Sequence, residues 1–458
     1  MAGQSIVVVG GGLAGMAAAV ALESQGQNVT LLESRKTLGG RAGSFEDPQT
    51  GEILDNCQHV LLGCCVNLID FYHRIGAAGR IHWESTIHFF DPQGREHRLW
   101  AINGLPAPLH LALSGATFGA LTFSERLALS RAMLAMLRLS EIGRANLADI
   151  SFGQWLKDHH QPDTLIDKFY DLVLISALNE NCRDASAAYA IQVFLEGLLL
   201  HESAYRMGTP ACPLGKLYES LPCRDVRLGT RVTAIRFDGR RAVGIEIGDE
   251  YLPADAVVLA VNYPLLEKWI PADLAKTDDR FSGLGQLQSV PILGAHMWFD
   301  RPILATPHAA LIGGPLQWLF RKPLGDGSAV HGVISAARDW IGRDKDECLK
   351  LFTAQIRQTF PAARSAELLR GSIVIEKRAT FSPLPGTDRF RPTQSPPKDG
   401  IAALFLAGDY TQTHWPATME GAVRSGYLAA EAVIDQPGKF LRSDLTPQWP
   451  AKLLHPSD

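Results

Sequence analysis

Ser5-Ile-Val-Val-Val-Gly-Gly-Gly-Leu-Ala-Gly15, an Ala-rich run to Gln25 and then Asn28-Val-Thr-Leu-Leu-Glu33 decide the fold of this chain. Residues 6–9 are a short β-branched run, the composition of a parallel strand covered on both faces. Gly10, Gly12 and Gly15 follow at once with G-x-G-x-x-G spacing. Residues 16–22 are rich in Ala and Leu, which favours helix, and Gly26 is placed to end it. Residues 29–32 read as a second strand with Glu33 at its end.

Each residue has a physical job in a dinucleotide site. Gly10 permits the tight turn, Gly12 leaves room for a pyrophosphate against the backbone, and Gly15 lets the helix lie close on the strand. The helix N-terminus presents unpaired N–H groups and a positive dipole end to the phosphates. Glu33, 18 residues after Gly15, is placed to accept hydrogen bonds from ribose hydroxyls. The expected fold class is α/β with a Rossmann-like domain.

Next comes Ser34-Arg-Lys-Thr-Leu-Gly-Gly40-Arg41, where Gly39 and Gly40 turn the backbone and Arg41 offers a fixed positive fork near the pyrophosphate. The same residues also fit a plain loop. In Ile53-Leu-Asp-Asn-Cys-Gln-His-Val-Leu-Leu62, the polar Asp55, Gln58 and His59 interrupt an apolar stretch, as in a site wall or around a hydrogen-bonded core histidine. A helix is expected over 67–75, short strands over 80–100, and a helix opening at Ser124 with Leu127, Leu129, Met133, Met136 and Leu137 on one face. The apolar stretch 104–140 suits either a core or a surface that dips into a bilayer. Helices are expected over 151–190 and 190–200, and a loop over 207–216. Strands are expected in 225–235, 242–247, 251–261, 293–299, 330–336 and 372–378.

Far downstream, Leu404-Phe-Leu-Ala-Gly-Asp409 reads as a buried strand ending in a carboxylate, and a helix opens near Thr418 or Met419. Gly408-Asp409 can offer its acid to ribityl hydroxyls, and that helix start can stabilise negative charge on a reduced flavin. A helix-capping aspartate in a surface loop is the plainer reading. There is no second strand–turn–helix glycine motif for a nicotinamide cofactor.

Bulk properties narrow the classes. The chain has 458 residues, 46% hydrophobic and 20% charged, enough for two or three domains. A net charge of −4 gives no reason to expect a nucleic-acid partner. No signal peptide, no run of about 20 apolar residues and no paired CxxC among the seven cysteines is seen, so a cytoplasmic protein with reduced thiols and no metal is expected.

The 5–33 unit, Gly39-Gly40-Arg41, Arg231-Val232, and Ala407-Gly408-Asp409 with Met419-Glu-Gly-Ala422 resemble the FAD-binding set of the phytoene desaturase and amine oxidase superfamily. Within it, Asp55-Asn-Cys-Gln-His-Val-Leu-Leu-Gly-Cys64, Leu105-Pro-Ala-Pro-Leu109, residues 121–126 and Pro213-Leu-Gly-Lys-Leu-Tyr218 resemble the hydroxysqualene dehydroxylase (squalene-associated desaturase) family. The resemblance implies a GR2-type flavoprotein fold with an inserted α+β substrate domain. It implies FAD held by Gly10, Gly12, Leu13, Ala14, Gly15, Glu33, Arg35, Gly40, Arg41, Gln58, His59, Val232, Gly408, Asp409 and Met419. Val232 would contact adenine through its backbone and Met419 the flavin ring.

The implied reaction is reduction of hydroxysqualene, a C30 isoprenoid, to squalene, with electrons from a separate donor. Loss of hydroxide needs a proton, and His59 is the first candidate for it, with Asp55, Glu180, Glu202 and His414 behind. A tunnel lined by 104–140 and 190–200 would open at a membrane surface, making the protein peripheral on the inner face of the cytoplasmic membrane. Carotenoid-type desaturation, amine oxidation and a non-catalytic prenyl-binding module remain alternatives on the same fold. The expected organisation is an FAD domain from 1–75, 212–265 and 395–437, a substrate domain from 76–211 and 266–394, and an irregular tail from 438 to 458.

Overall fold

The computed structural model describes residues 3–456 other than 49, 323 and 324. Five strands make one parallel sheet, in the order Asp225–Arg227, Asn28–Leu32, Ser5–Val9, Ala256–Leu259, Leu404–Leu406. They come from widely separated parts of the chain, and Ile6, Val7, Val8 and Val9 at the centre are all buried. A strand covered on both faces has no reason to alternate with polar residues, hence the unbroken β-branched run.

Helix Leu13–Glu23 lies against this sheet and is itself covered by helix Met419–Ile434. Residues 13–22 are consequently buried all round. At Gly426 a Cβ would come within 2.2 Å of Ala14 O, so the two helices meet backbone to backbone. Small residues are required here by the distance between the helices, beyond any helix propensity.

A second, seven-stranded mixed sheet runs Leu368–Phe381, Ser289–Phe299, Ala329–Ile334, Trp318–Arg321, His308–Leu311, Thr86–Phe90, Glu96–Trp100. Helix Lys345–Thr359 packs Leu349, Phe352 and Ile356 on one face. The opposite side meets residues 57–62, and helices between 123 and 200 form a further core.

Several expectations need correction. Residues 207–216 are not simply a loop: Met207–Pro210 is a strand bridging Leu61–Leu62 and Ile81–Glu84. The helix expected over 151–190 is broken into Phe152–Asp158, 163–178 with a π turn at Ile166–Tyr170, and Ala187–Phe194, with left-handed Asn179 (φ 53°) at one break. In helix Phe123–Leu137, opened by a Thr122–Glu125 capping box, Leu127 faces solvent while Ala132, Met136 and Leu137 are buried. The tail has irregular backbone but is tethered: Glu431 accepts N–H groups of Gly438, Phe440 and Leu441, Asn67 pairs with the backbone of Arg442, and a short helix forms at Trp449–Leu454. Among the described residues, no helix is long and apolar enough to cross a membrane, and no cluster of potential ligands suits a metal.

Candidate functional site

The glycine turn is shaped by contacts that exclude side chains. Gly10 has φ 112°, and a Cβ there would sit 2.3 Å from Ala260 O. A Cβ on Gly15 would lie 1.9 Å from Gly10 O. Gly12 differs, because a Cβ there would meet nothing within 4 Å. It opens helix Leu13–Glu23 with no side-chain cap, and the helical bonds begin with Met16 N–H donating to Gly12 O. The N–H groups of Leu13, Ala14 and Gly15 are therefore left without helical acceptors beside open space. That is the shape and polarity a pyrophosphate fits.

Glu33 is buried, and its carboxylate accepts from Gly11 N (2.7 Å), Arg35 N (2.7 Å) and the Ser34 hydroxyl (3.1 Å). Before anything else, the acid clamps the two loops that border the groove. A carboxylate has about four acceptor positions, so room for one ribose hydroxyl remains. Gly39 N–H donates to Gly11 O, and Gly40 (φ 58°) is close enough to Gly12 that a Cβ would be 3.2 Å from its Cα. Arg35 Nη1 donates to Gly40 O at 3.2 Å. Val232 is buried against Val7, Val9 and Leu32.

Arg41 joins the two ends of the chain. Its guanidinium pairs with Asp409 through Nη2–Oδ1 at 2.6 Å and Nη1–Oδ2 at 3.0 Å, and Nη1 also reaches Ala379 O. Asp409, read from sequence as an open acceptor, is thus a buried partner in a bidentate pair. Gly408 (φ 149°) hands its N–H to Ser425 Oγ, and Thr418 caps helix Met419–Ile434 by accepting from Gly421 N. Met419 is half-buried at that helix start.

Sequence reading missed Arg391, which sits in what looks like a surface loop. It is buried, and Nη2 donates to Asp409 O (3.1 Å), Thr411 O (2.5 Å) and Thr413 Oγ1 (3.1 Å), while Nη1 meets Asp388 and Tyr189. It fixes the backbone from which Asp409 projects. No local pattern announces such a residue, because its partners are carbonyls set in place by distant strands.

On the side of the second sheet, His59 Nδ1 lies 2.9 Å from Cys57 O. A carbonyl can only accept, so Nδ1 carries the proton and Nε2 is the acceptor. Burial pushes the His59 pKa down, which favours the neutral imidazole. Gln58 bonds only within its own loop, to His59 O. Cys57, Met207, Phe320 and Val333 form an apolar wall here with Val60, Leu62, Ile292 and Trp318. His296 and His331 stack behind it at 3.9 Å, both buried, with His296 Nε2 donating to Asp55 O.

The other acid candidates separate. Glu180 is paired with Arg338 (2.5 and 2.8 Å), which with Ser382 holds it below the usual carboxylate range despite burial. Burial raises Asp55, but its Oδ1 accepts from Ser44 and Leu214 N and ties three segments together. Glu202 accepts from Gln448, and His414 has left-handed backbone at φ 58°.

Residues 13–434 match the family model described as flavin containing amine oxidoreductase, and the chain belongs to that family. It is similar to 15-cis-phytoene desaturase of Synechococcus elongatus, 26% identical over 95% of this chain and 97% of the relative. It is also similar to a hydroxysqualene dehydroxylase of Zymomonas mobilis, 28% identical over 93% of this chain and 98% of the relative. Cyclohexylamine oxidase from Brevibacterium oxydans has the same fold, with TM-score 0.67 at 15% identity over 94% of this chain and 99% of that one. The protein is a flavin-dependent oxidoreductase with the amine oxidase-type fold.

Proposed function

We propose that this chain uses FAD to reduce hydroxysqualene to squalene. The observation that carries the FAD reading is the Arg41–Asp409 pair, which brings the Gly10–Gly15 groove and the Gly408–Asp409 strand end into one site. The end-to-end similarity to a hydroxysqualene dehydroxylase supports the substrate, as does the apolar wall beside His59. Gly12, Leu13, Ala14 and Gly15 would hold the pyrophosphate, Glu33 the ribose, Val232 the adenine, Asp409 the ribityl chain and Met419 the ring edge. Arg35, Gly40 and Arg41 would line the same site, and Gln58 and His59 would contact the ring. When bound and reduced, the flavin supplies a hydride. The chain must exclude water, hold an allylic alcohol and deliver a proton to it, since hydroxide is a poor leaving group. A separate reductant would supply the electrons.

Desaturation of phytoene is the second reading, favoured by the match to the Synechococcus enzyme. Anaerobic incubation of photoreduced holoprotein with hydroxysqualene, and of oxidised holoprotein with phytoene, separates them. Squalene from the first and no desaturated product from the second is expected.

We further propose a cytoplasmic protein seated on the inner membrane face. Leu109, Leu113 and Phe123 (76%) are exposed in the stretch that follows Ala107, whose N–H donates to Gln448. Gln448 leads into the helix that exposes Trp449 (71%) and Leu453 (72%). A bilayer would cover these side chains. Vesicle flotation of wild type, but not of a Leu109→Ser, Leu113→Ser, Phe123→Ser variant, is expected; equal behaviour removes this proposal.

A further inference from the structure

Helix Ala187–Phe194 does not end cleanly but widens into a π turn, Leu195–Leu199. Such turns insert a residue and re-aim side chains, frequently at functional sites. Glu196 is the charged residue in it, half-buried between buried Leu195 and Gly197. Among the described residues its carboxyl has no hydrogen-bond or ion-pair partner. Four charged groups lie around it: Asp444 from the tail, Arg424 from helix Met419–Ile434, and Glu141 and Arg144 from the Glu141–Ala145 helix. The buried thiol of Cys64 is also within its field. Both arginines are committed elsewhere, Arg424 to Glu420 (2.8 Å) and Asp444, and Arg144 to Gln192 and Ala188 O.

The turn sits where the apolar wall and the loop leading to Trp415 meet. A Cβ on Gly197 would be 3.3 Å from Leu62 Cδ1, so the turn rides on Leu62. Leu62 packs both on the wall of Cys57, Met207, Phe320 and Val333 and on the cluster of Cys64, Ala204 and Trp415. One helical turn earlier, Gln192 donates to His414 O at 2.9 Å, fixing the loop that runs into the Thr418 cap.

We propose that Glu196 is the acid that protonates the departing hydroxyl of the substrate; this rests on the hydroxysqualene reading above. Its O–H bond breaks and the proton passes to the hydroxyl oxygen. The C–O bond then breaks with its electron pair leaving on water, an allylic cation remains, and Glu196 is left as carboxylate beside it. A hydride donor, the reduced flavin class, completes the two-electron reduction. The surroundings suit this role: burial first and the negative charge of Asp444 second push the Glu196 pKa up to about 7, which leaves a neutral acid available where Glu180 and His59 offer none.

The test uses the full-length holoprotein. Wild type should form squalene, with kcat falling as pH rises through about 7. Glu196→Gln should keep its flavin absorbance and lose roughly 10²- to 10⁴-fold in kcat, without that alkaline limb. Glu196→Asp should recover part of the rate. Independently of turnover, a protonated-carboxyl infrared band titrating near pH 7 should be present in wild type and absent from Glu196→Gln. Asp444→Asn, which leaves Glu196 in place, should move the limb to lower pH. If wild type makes squalene but Glu196→Gln matches it in rate and pH profile, or Asp444→Asn leaves the limb where it was, the acid assignment is overturned. If wild type makes no squalene, the substrate reading falls and takes this assignment with it, whatever the infrared titration shows.

Discussion

The glycine-turn site beside the parallel sheet and the apolar wall beside the second sheet treat charge differently. In the groove every charged group is held: Glu33 by three donors, Arg41 by Asp409, Arg391 by a ring of carbonyls. Beside the apolar wall burial favours the neutral forms of His59, His296 and His331 and raises Glu196, while the nearby charges Lys322 and Arg370 are paired with Glu52 and Asp47. A site for a fixed anionic cofactor gains from charges that cannot move. A site that moves protons needs groups whose neutral and charged forms lie close in energy.

The largest expected effect tests the groove. Gly15→Ala puts a Cβ 1.9 Å from a backbone oxygen that cannot give way, and should cost about 3 kcal/mol or more in a thermal melt. Gly12→Ala meets nothing, and should leave Tm unchanged while weakening FAD binding. If both variants behave alike, the glycines serve only the fold. Next, Asp409→Asn should weaken FAD binding by about 10- to 100-fold, as loss of a charge-assisted contact would. Its effect should be non-additive with Arg41→Ala when both are titrated calorimetrically.

The buried histidines predict a pH signature. Burial pushes His110 and His296 down to about 4, His308 to about 3 and His331 well below its ordinary value. The unfolded chain binds protons that these folded groups refuse. Their stability contribution is therefore complete above about pH 6.5 and drains away as pH falls toward 4. Glu196 has the opposite sign: its contribution is complete below about 4.5 and fades as pH rises through about 7. Urea midpoints across this range should fall on the acid side, and Glu196→Gln should lift the value near pH 8 relative to wild type. The smallest effect belongs to the surface. Leu109→Ser with Leu113→Ser should shift folding stability by no more than about 0.5 kcal/mol per site, read in the same urea titration.

The parts legible from sequence were those whose neighbours in space are also neighbours in the chain. Gly10, Gly12 and Gly15 act within one strand–turn–helix unit, so their spacing carried the turn geometry unaided. Gly408 and Asp409 were legible as a strand end, yet the pairing of Asp409 with a residue 368 positions away was not. The break at Asn179, the Met207–Pro210 strand and the tethered tail escaped because each depends on a partner segment that gives no local signal. The burial of His59 was not legible either, since it comes from a sheet built of strands more than 200 residues downstream.

Sequence alone determined the α/β class and the glycine turn, because β-branched runs, helix periodicity and turn glycines act over a few residues. Tertiary structure decided which charges are paired and which stay neutral. Desolvation and ion pairing depend on everything within several ångströms of a group, and in this chain most of that surrounding comes from residues hundreds of positions apart.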